Sequence, residues 1–315
     1  MTNNDQEKEN KVSGVQSRSQ LVKNFIESGL ALGIETATFQ GGDLGLFEGY
    51  LKDDVIFKYS LLDGFTWSYA VQDFLLKKIF IDQRGTYIDV GANIGLISIP
   101  VAEKGKIKCY AFEPEPNNYK LLRRNILAHN VESLIETYSI ALFSEKTQLH
   151  FEVCSRNYGD HRIKPNQNSE IKEHYNEESR QIINVNAEKL DDVLDLRQLN
   201  SPIVLKVDIQ GSEIQFFKGA EKSLELVDYL IVEYWPYGIL YFGDTLESFL
   251  EILKKFPFAA FVGLFDRVRS VTVELKPVEQ VIEAIRAEVN PKNIDPDQEI
   301  NIVCSRNPTF PAEFK

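Results

Sequence analysis

Residues 85–115 read GTYIDVGANIGLISIPVAEKGKIKCYAFEPE, a stretch that few folds can accommodate. A run of β-formers (Tyr87, Ile88, Val90) ends in Asp89-Val90-Gly91-Ala92-Asn93-Ile94-Gly95. A helical pattern follows at Ile94, Ile97, Val101 and Ala102, and a second apolar run from Ile107 to Phe112 closes on Glu113. The order predicted is strand, glycine turn, helix, parallel strand. Such a unit places its glycine turn at the carboxyl ends of the strands, where α/β sheets bind ligands. Glycine suits that position because the backbone must turn with positive φ and let a ligand approach closely.

An acid ending the second strand, about twenty residues past the turn, is placed to accept hydrogen bonds from a ribose diol. The predicted ligand is therefore an adenosine-containing cofactor. A nicotinamide site wants G-x-G-x-x-G, whose second glycine makes room for a pyrophosphate. Here Asn93 stands between Gly91 and Gly95, and Asp89 precedes the turn. An acid there repels a pyrophosphate and pairs with a cationic ligand such as an amino acid's ammonium group. That favours S-adenosylmethionine over a dinucleotide. The plainer alternative is that Asp89 only caps the turn while the two glycines allow close helix packing.

The remaining chain extends the α/β rhythm. Residues 1–20 are polar and read as a disordered tail, and 21–82 as an N-terminal cap of helix, hairpin and helix, with the hairpin drawn from GLFEGYL and VIFKYSL. Residues 83–315 form the main domain, with a loop insertion at about 155–180 and a helical insertion at about 266–298. Strand patterns at 203–208, 229–234, 258–264 and 300–304 alternate with helical ones. The fold class expected is α/β: a mostly parallel, Rossmann-like sheet with helices on both faces.

A net charge of -12 argues against nucleic acid or an anionic membrane as the main partner. No apolar stretch approaches a membrane span, and the N-terminus lacks an apolar signal core. The three cysteines lie far apart and read as reduced residues of a cytoplasmic protein acting on a small molecule.

Three further features fall where strands should end. In LKVDIQGSE the period of two puts Lys206 and Asp208 on one side of a strand, with Glu213 opening the next helix. Two charges in a buried parallel strand are costly unless paired or functional. Glu233 ends the following strand and, with Asp208, is a candidate to hold a divalent cation or orient a hydroxyl; it serves equally as an acceptor for backbone amides, and no metal ligand set is assigned. The loop Asn157-Tyr158-Gly159-Asp160-His161-Arg162 offers a histidine able to take a proton from an alcohol.

DVGANIG, AFEPEPNNYKLLRRN, SIALFSEKTQLHFEV and IVLKVDIQGSEIQFFKGAEKSL, in that order, resemble the FkbM family of S-adenosylmethionine-dependent methyltransferases over about 85–235. The resemblance implies a class I methyltransferase sheet and methyl transfer, commonly to a hydroxyl of a natural product or sugar. One departure is Gln210, where the family usually carries an acid before the glycine. A cofactor-binding protein without activity and, further off, a nicotinamide oxidoreductase are the alternatives. The cofactor set is Asp89, Gly91, Ala92, Asn93, Gly95, Glu113 and Pro114, with Ser139, Ile140 and Ala141 flanking the adenine. The catalytic set is Asp208 or His161 as base, with Lys206 and Glu213 holding the local charge arrangement.

Overall fold

The computed structural model describes residues 17–41, 45–53, 55–63, 69–165, 174, 179–262, 273–289 and 294–311. Helix α1 (Arg18–Ala31) is capped by Ser17, whose side chain accepts from Gln20 N, so this helix takes up the last residues of the tail expected over 1–20. Residues 1–16 lie outside the described residues. Strands β1 (Thr36–Gln40) and β2 (Leu46–Tyr50) pair antiparallel. The hairpin therefore forms one strand earlier than the sequence suggested. The second expected strand is instead helix α2 (Ile56–Asp63). Asp53 explains the switch: its buried carboxylate accepts from the amides of Val55 and Ile56, both at 3.0 Å, and starts a helix where the apolar alternation alone reads as a strand. Helix α3 (Tyr69–Phe74) runs into a π-helical turn, Leu75–Ile79.

The main sheet then begins with β3 (Thr86–Val90), α4 (Ser98–Gly105), β4 (Lys108–Phe112), α5 (Pro116–Ala128) and β5 (Ile135–Tyr138). The chain next departs into a small sheet of β6 (Ala141–Leu142), β7 (Thr147–Val153), β8 (Arg162–Ile163) and β9 (Gln181–Glu188). After the short helix α6 (Leu190–Val193) it returns as β10 (Ile203–Val207), α7 (Glu213–Lys218), α8 (Glu221–Leu226) and β11 (Tyr229–Tyr234). Helices α9 (Pro236–Phe242) and α10 (Leu246–Leu253), strands β12 (Phe258–Phe261) and β13 (Lys276–Pro277), helix α11 (Val278–Glu288) and strand β14 (Ile300–Ser305) complete it. Within the segment expected as a loop at 155–180, Arg162–Ile163 forms a strand of this four-stranded sheet, ordered β6-β9-β7-β8; residues 166–173 and 175–178 lie outside the described residues.

The eight strands of the main sheet run β13-β12-β14-β11-β10-β3-β4-β5. Strands β10, β11, β3, β4 and β5 are mutually parallel, and β14 enters antiparallel between β11 and β12. The sheet is thus α/β and mostly parallel, as expected. Period two sends alternate residues to opposite faces. Tyr87, Val204, Ile231 and Val303 join one core with Ile99 and Leu121 of the helices, and that core also takes in Phe39, Phe47 and Phe57 of the cap. Ile88, Leu205, Leu230 and Ile302 join the other with Phe216, Phe249 and Ile282. Helices thus cover both faces, and the cap shares a core with the sheet.

The topology fixes the site. From β3 the chain builds outward through β4 to β5, then crosses back to β10 on the other side of β3 and builds the opposite way. The order therefore reverses between β3 and β10. Open α/β sheets bind ligands in the crevice beyond the carboxyl ends of the strands at such a point.

Candidate functional site at the switch point

Beyond β3 the chain must turn at once, because β10 ends beside it. Gly91 adopts φ 87°, and a Cβ there would lie 1.9 Å from the Asp208 carbonyl oxygen. No larger residue fits without moving one strand end. Gly91 and Ala92 donate from their amides to the Phe112 carbonyl, both at 3.0 Å. Asn93, at φ 51°, donates its amide to Glu113 Oε2 at 2.9 Å. Its own Oδ1 accepts from Ile94 N at 2.7 Å, which stabilises the left-handed turn.

Glu113 is buried, and Oε1 accepts from Glu115 N at 2.8 Å. Burial pushes its carboxyl up to about 8, although the amides of Glu115 and Asn93 pull the other way. Asp89 is also buried, accepting from Ser98 Oγ at 2.5 Å. Its other oxygen lies beside the Tyr87 hydroxyl with neither atom in a hydrogen bond of ordinary geometry. Burial raises the Asp89 carboxyl while Lys206 opposes the rise.

On the β10 side Lys206 Nζ donates to Asp208 Oδ2 at 2.9 Å. Burial pulls the ammonium down, but Asp208 and Asp89 outweigh it and the group is held above its ordinary value. Burial likewise pushes Asp208 up, and Lys206 outweighs it, leaving the carboxyl below its usual range. Gln210 sits between two carboxylates, its Nε2 donating to Asp208 Oδ1 at 2.9 Å and to Glu233 Oε2 at 2.8 Å. Burial, then the Asp208 charge, drives Glu233 well above its ordinary value. The two carboxyls thus titrate as a coupled pair in which Asp208 is the more readily ionised. Among the described residues, no group of three or more His, Cys, Asp or Glu is arranged to hold a metal ion.

The third wall comes from the segment between β7 and β8. Tyr158 O accepts from Asn93 Nδ2 at 2.8 Å and from Asn118 Nδ2 at 2.9 Å, pinning this segment to the glycine turn and to α5. The Tyr158 ring stacks on Tyr50 at 4.8 Å between centroids. His161 is buried, and its Nδ1 accepts from Cys154 N at 3.0 Å. Burial, then the nearby Arg180 guanidinium, lowers its pKa to about 3. The ring is therefore neutral, with its proton on Nε2.

One cleft collects most of the residues singled out from sequence: Asp89, Gly91, Ala92, Asn93, Glu113 and Pro114 on one side, Ile140 and Ala141 beyond β5, Lys206 on β10 with Asp208 just past its end, and His161 above. Three others stand apart. Gly95 is not on the cleft wall; a Cβ there would meet Ile99 and Leu122 at 2.7 and 2.8 Å, so its role is helix packing. Ser139 is exposed and away from the wall. Glu213 lies beneath the β10 turn, where Oε1 accepts from the amides of Ile209 and Gly211 at 3.3 and 3.2 Å. His161 lines the cleft with its proton on a buried Nε2, since its one lone pair is engaged by Cys154; that is a poor base. The sequence reading passed over Ser98 and Asn118. Asn118 was accessible to it: five residues past Glu113, in the first turn of a proline-opened helix, it points back toward the glycine turn.

With that geometry in place, comparison with known proteins is direct. The model of the methyltransferase FkbM domain matches residues 89–262. The chain belongs to that family, whose members are methyltransferases and which implies S-adenosylmethionine as cofactor. Methyltransferase sdnD of Sordaria araneosa is 29% identical over 209 residues, which cover 56% of this chain and 80% of that protein. Hexuronic acid methyltransferase AglP of Haloferax volcanii is 26% identical over 146 residues, covering 46% of this chain and 54% of that protein. Among solved structures, methyltransferase FkbM from Methylobacillus flagellatus KT aligns with a TM-score of 0.39 at 17% identity, covering 83% of this chain and 62% of that one. The fold is accordingly read from this chain's own strand order. No helix among the described residues is long and apolar enough to cross a membrane.

Proposed function

We propose that the protein transfers a methyl group from S-adenosylmethionine to a hydroxyl oxygen of a small molecule, a sugar or natural product. The observation that carries this reading is the meeting, at one switch point, of a glycine turn, an acid ending the neighbouring strand, and an ionised carboxylate on the opposite strand end. The residues fit the cofactor. Each Glu113 oxygen accepts one backbone N–H and keeps a lone pair for a ribose hydroxyl. Asp89 lines the cleft where an ammonium group is proposed to bind, and one of its oxygens is outside any ordinary hydrogen bond. Gly91, Ala92 and Asn93 would surround the methionine half, with Pro114, Ile140 and Ala141 toward the adenine. Bound there, the cofactor supplies an electrophilic methyl group.

This chain's residues then have two tasks, to align the acceptor oxygen and to remove its proton. An alcohol is too weak an acid to ionise beforehand, so a base must take the proton as the new bond forms. Asp208 is the proposed base. Lys206 keeps it ionised, and Gln210 fixes one oxygen, so the carboxylate is oriented as well as charged. That the AglP relative is a hexuronic acid methyltransferase supports sugars as the first acceptors to try. The test is incubation with methyl-labelled S-adenosylmethionine and a panel of sugars, hexuronic acids and hydroxylated natural products. Label recovered in an ether linkage supports the reading; label recovered only on carbon, nitrogen or a carboxylate contradicts it.

A further inference from the structure

Among the described residues, the cleft holds in its wall a buried side-chain donor, His161, that the proposed reaction does not use. Its wall includes the carboxylates of Asp89, Glu113, Asp208, Glu233 and Glu299. Most of its side-chain N–H groups have partners. Lys206 is held by Asp208, Gln210 by Asp208 and Glu233, and Asn93 and Asn118 by the Tyr158 carbonyl. His161 differs: the residue is 8% exposed, and its Nε2 is buried without a hydrogen-bond partner. Leaving a buried N–H unsatisfied is costly, so such a group in a cleft wall points to a ligand acceptor.

The ring cannot simply turn away. Cys154 N holds Nδ1, and the Tyr158 ring lies against it at 5.3 Å between centroids. Tyr158 is tied in turn to the glycine turn through Asn93. The donor is therefore fixed on the segment that covers the proposed place of the methionine half. That half is a zwitterion. Its ammonium finds carboxylates in abundance, whereas its carboxylate needs a donor away from them, and Lys206 is already engaged.

We propose that His161 Nε2–H binds the α-carboxylate of the cofactor's methionine half, making His161 a cofactor-positioning residue and not the base. This rests on the cofactor reading above. Calorimetry on wild type, His161→Phe and His161→Gln tests it, using S-adenosylhomocysteine and methylthioadenosine; the second keeps the nucleoside and sulfur but lacks the amino-acid portion. A hydrogen bond to a charged group predicts that His161→Phe weakens S-adenosylhomocysteine about 10- to 100-fold. Methylthioadenosine affinity stays as in wild type, and His161→Gln, which keeps an N–H at the end of the side chain, recovers most of the loss. Equal weakening of both ligands marks a merely structural role and overturns the proposal, as does unchanged S-adenosylhomocysteine affinity. The unsubstituted protein gives a second readout. In spectra of isotope-labelled histidine, the His161 Nε2–H resonance must move on adding S-adenosylhomocysteine and hold still with methylthioadenosine; the reverse overturns the proposal. Failure of wild type to bind S-adenosylhomocysteine removes the cofactor reading itself, and this inference with it.

Discussion

Glu113 carries a titration that binding must alter. Its carboxyl stands at about 8 in the free protein because burial disfavours the charge. Hydroxyl donors from a ribose favour the ionised form and lower that value. Between the bound and free values, binding therefore releases up to one proton, and affinity rises with pH until about 8. Titrating S-adenosylhomocysteine at neutral pH in two buffers of different ionisation enthalpy reads this directly. Proton uptake, or no buffer dependence, contradicts the placement of the ribose on Glu113. Asp208 yields a kinetic prediction. Asp208→Asn keeps the size and the contact with Gln210 but removes the basic oxygen, so turnover falls by about 100- to 10,000-fold. Cofactor affinity remains within about threefold of wild type, since the loss belongs to proton removal. Turnover that survives the substitution shows that alignment alone drives the reaction.

Among the elements, the glycine turn and the segment over it lend themselves to separate tests. Gly91→Ala introduces a Cβ 1.9 Å from the Asp208 carbonyl, at a φ of 87°. The dihedral alone costs about 1–2 kcal/mol, and the collision with β10 backbone adds to it. Denaturant unfolding must show a lower midpoint; an unchanged midpoint means the two strand ends are not packed as described. Asn118→Ala removes one of two donors to the Tyr158 carbonyl. At about 0.5–1.5 kcal/mol for that bond, amides of residues 154–161 exchange roughly two- to tenfold faster in hydrogen-exchange mass spectrometry. Exchange unaltered by the substitution means that the segment is held by other contacts. The unit from Thr86 to Glu113 was legible in sequence because its signals are local: β-branched residues, positive-φ glycines and a terminal acid. The small sheet from Ala141 to Glu188 was not. Its β7–β9 pairing joins Thr147 to Ala187 across a long polar segment, and no short-range pattern specifies such a partner. Asp53 misled for the opposite reason, since a local carboxylate contact overrode an alternating pattern. The tautomer of His161 depends on Cys154 N and is not inferable from residue order.

For the whole molecule, two buried groups set opposing limits on stability. Glu213 stands at about 7 in the fold against 4.5 for an ordinary glutamate, because burial outweighs its amide donors. The fold thus binds more protons than the unfolded chain across that window, and this group's contribution is lost as pH rises from 4.5 through about 7. His161 has the reverse sign. Lowered to about 3 from 6.5, it contributes stability above 6.5 that is lost as pH falls toward 3. Glu213→Gln keeps an acceptor for Ile209 and Gly211 but cannot ionise. In urea unfolding at pH 5 and pH 8, the substituted protein must lose less stability across the interval than wild type, by at most about 1.4 kcal/mol per pH unit. An equal or larger loss contradicts the burial assigned to Glu213. The central claim is tested most directly by calorimetric titration of the whole chain with S-adenosylmethionine and, separately, with NAD. The account predicts saturable one-to-one binding of S-adenosylmethionine and none of NAD; tight binding of NAD with none of S-adenosylmethionine would contradict it.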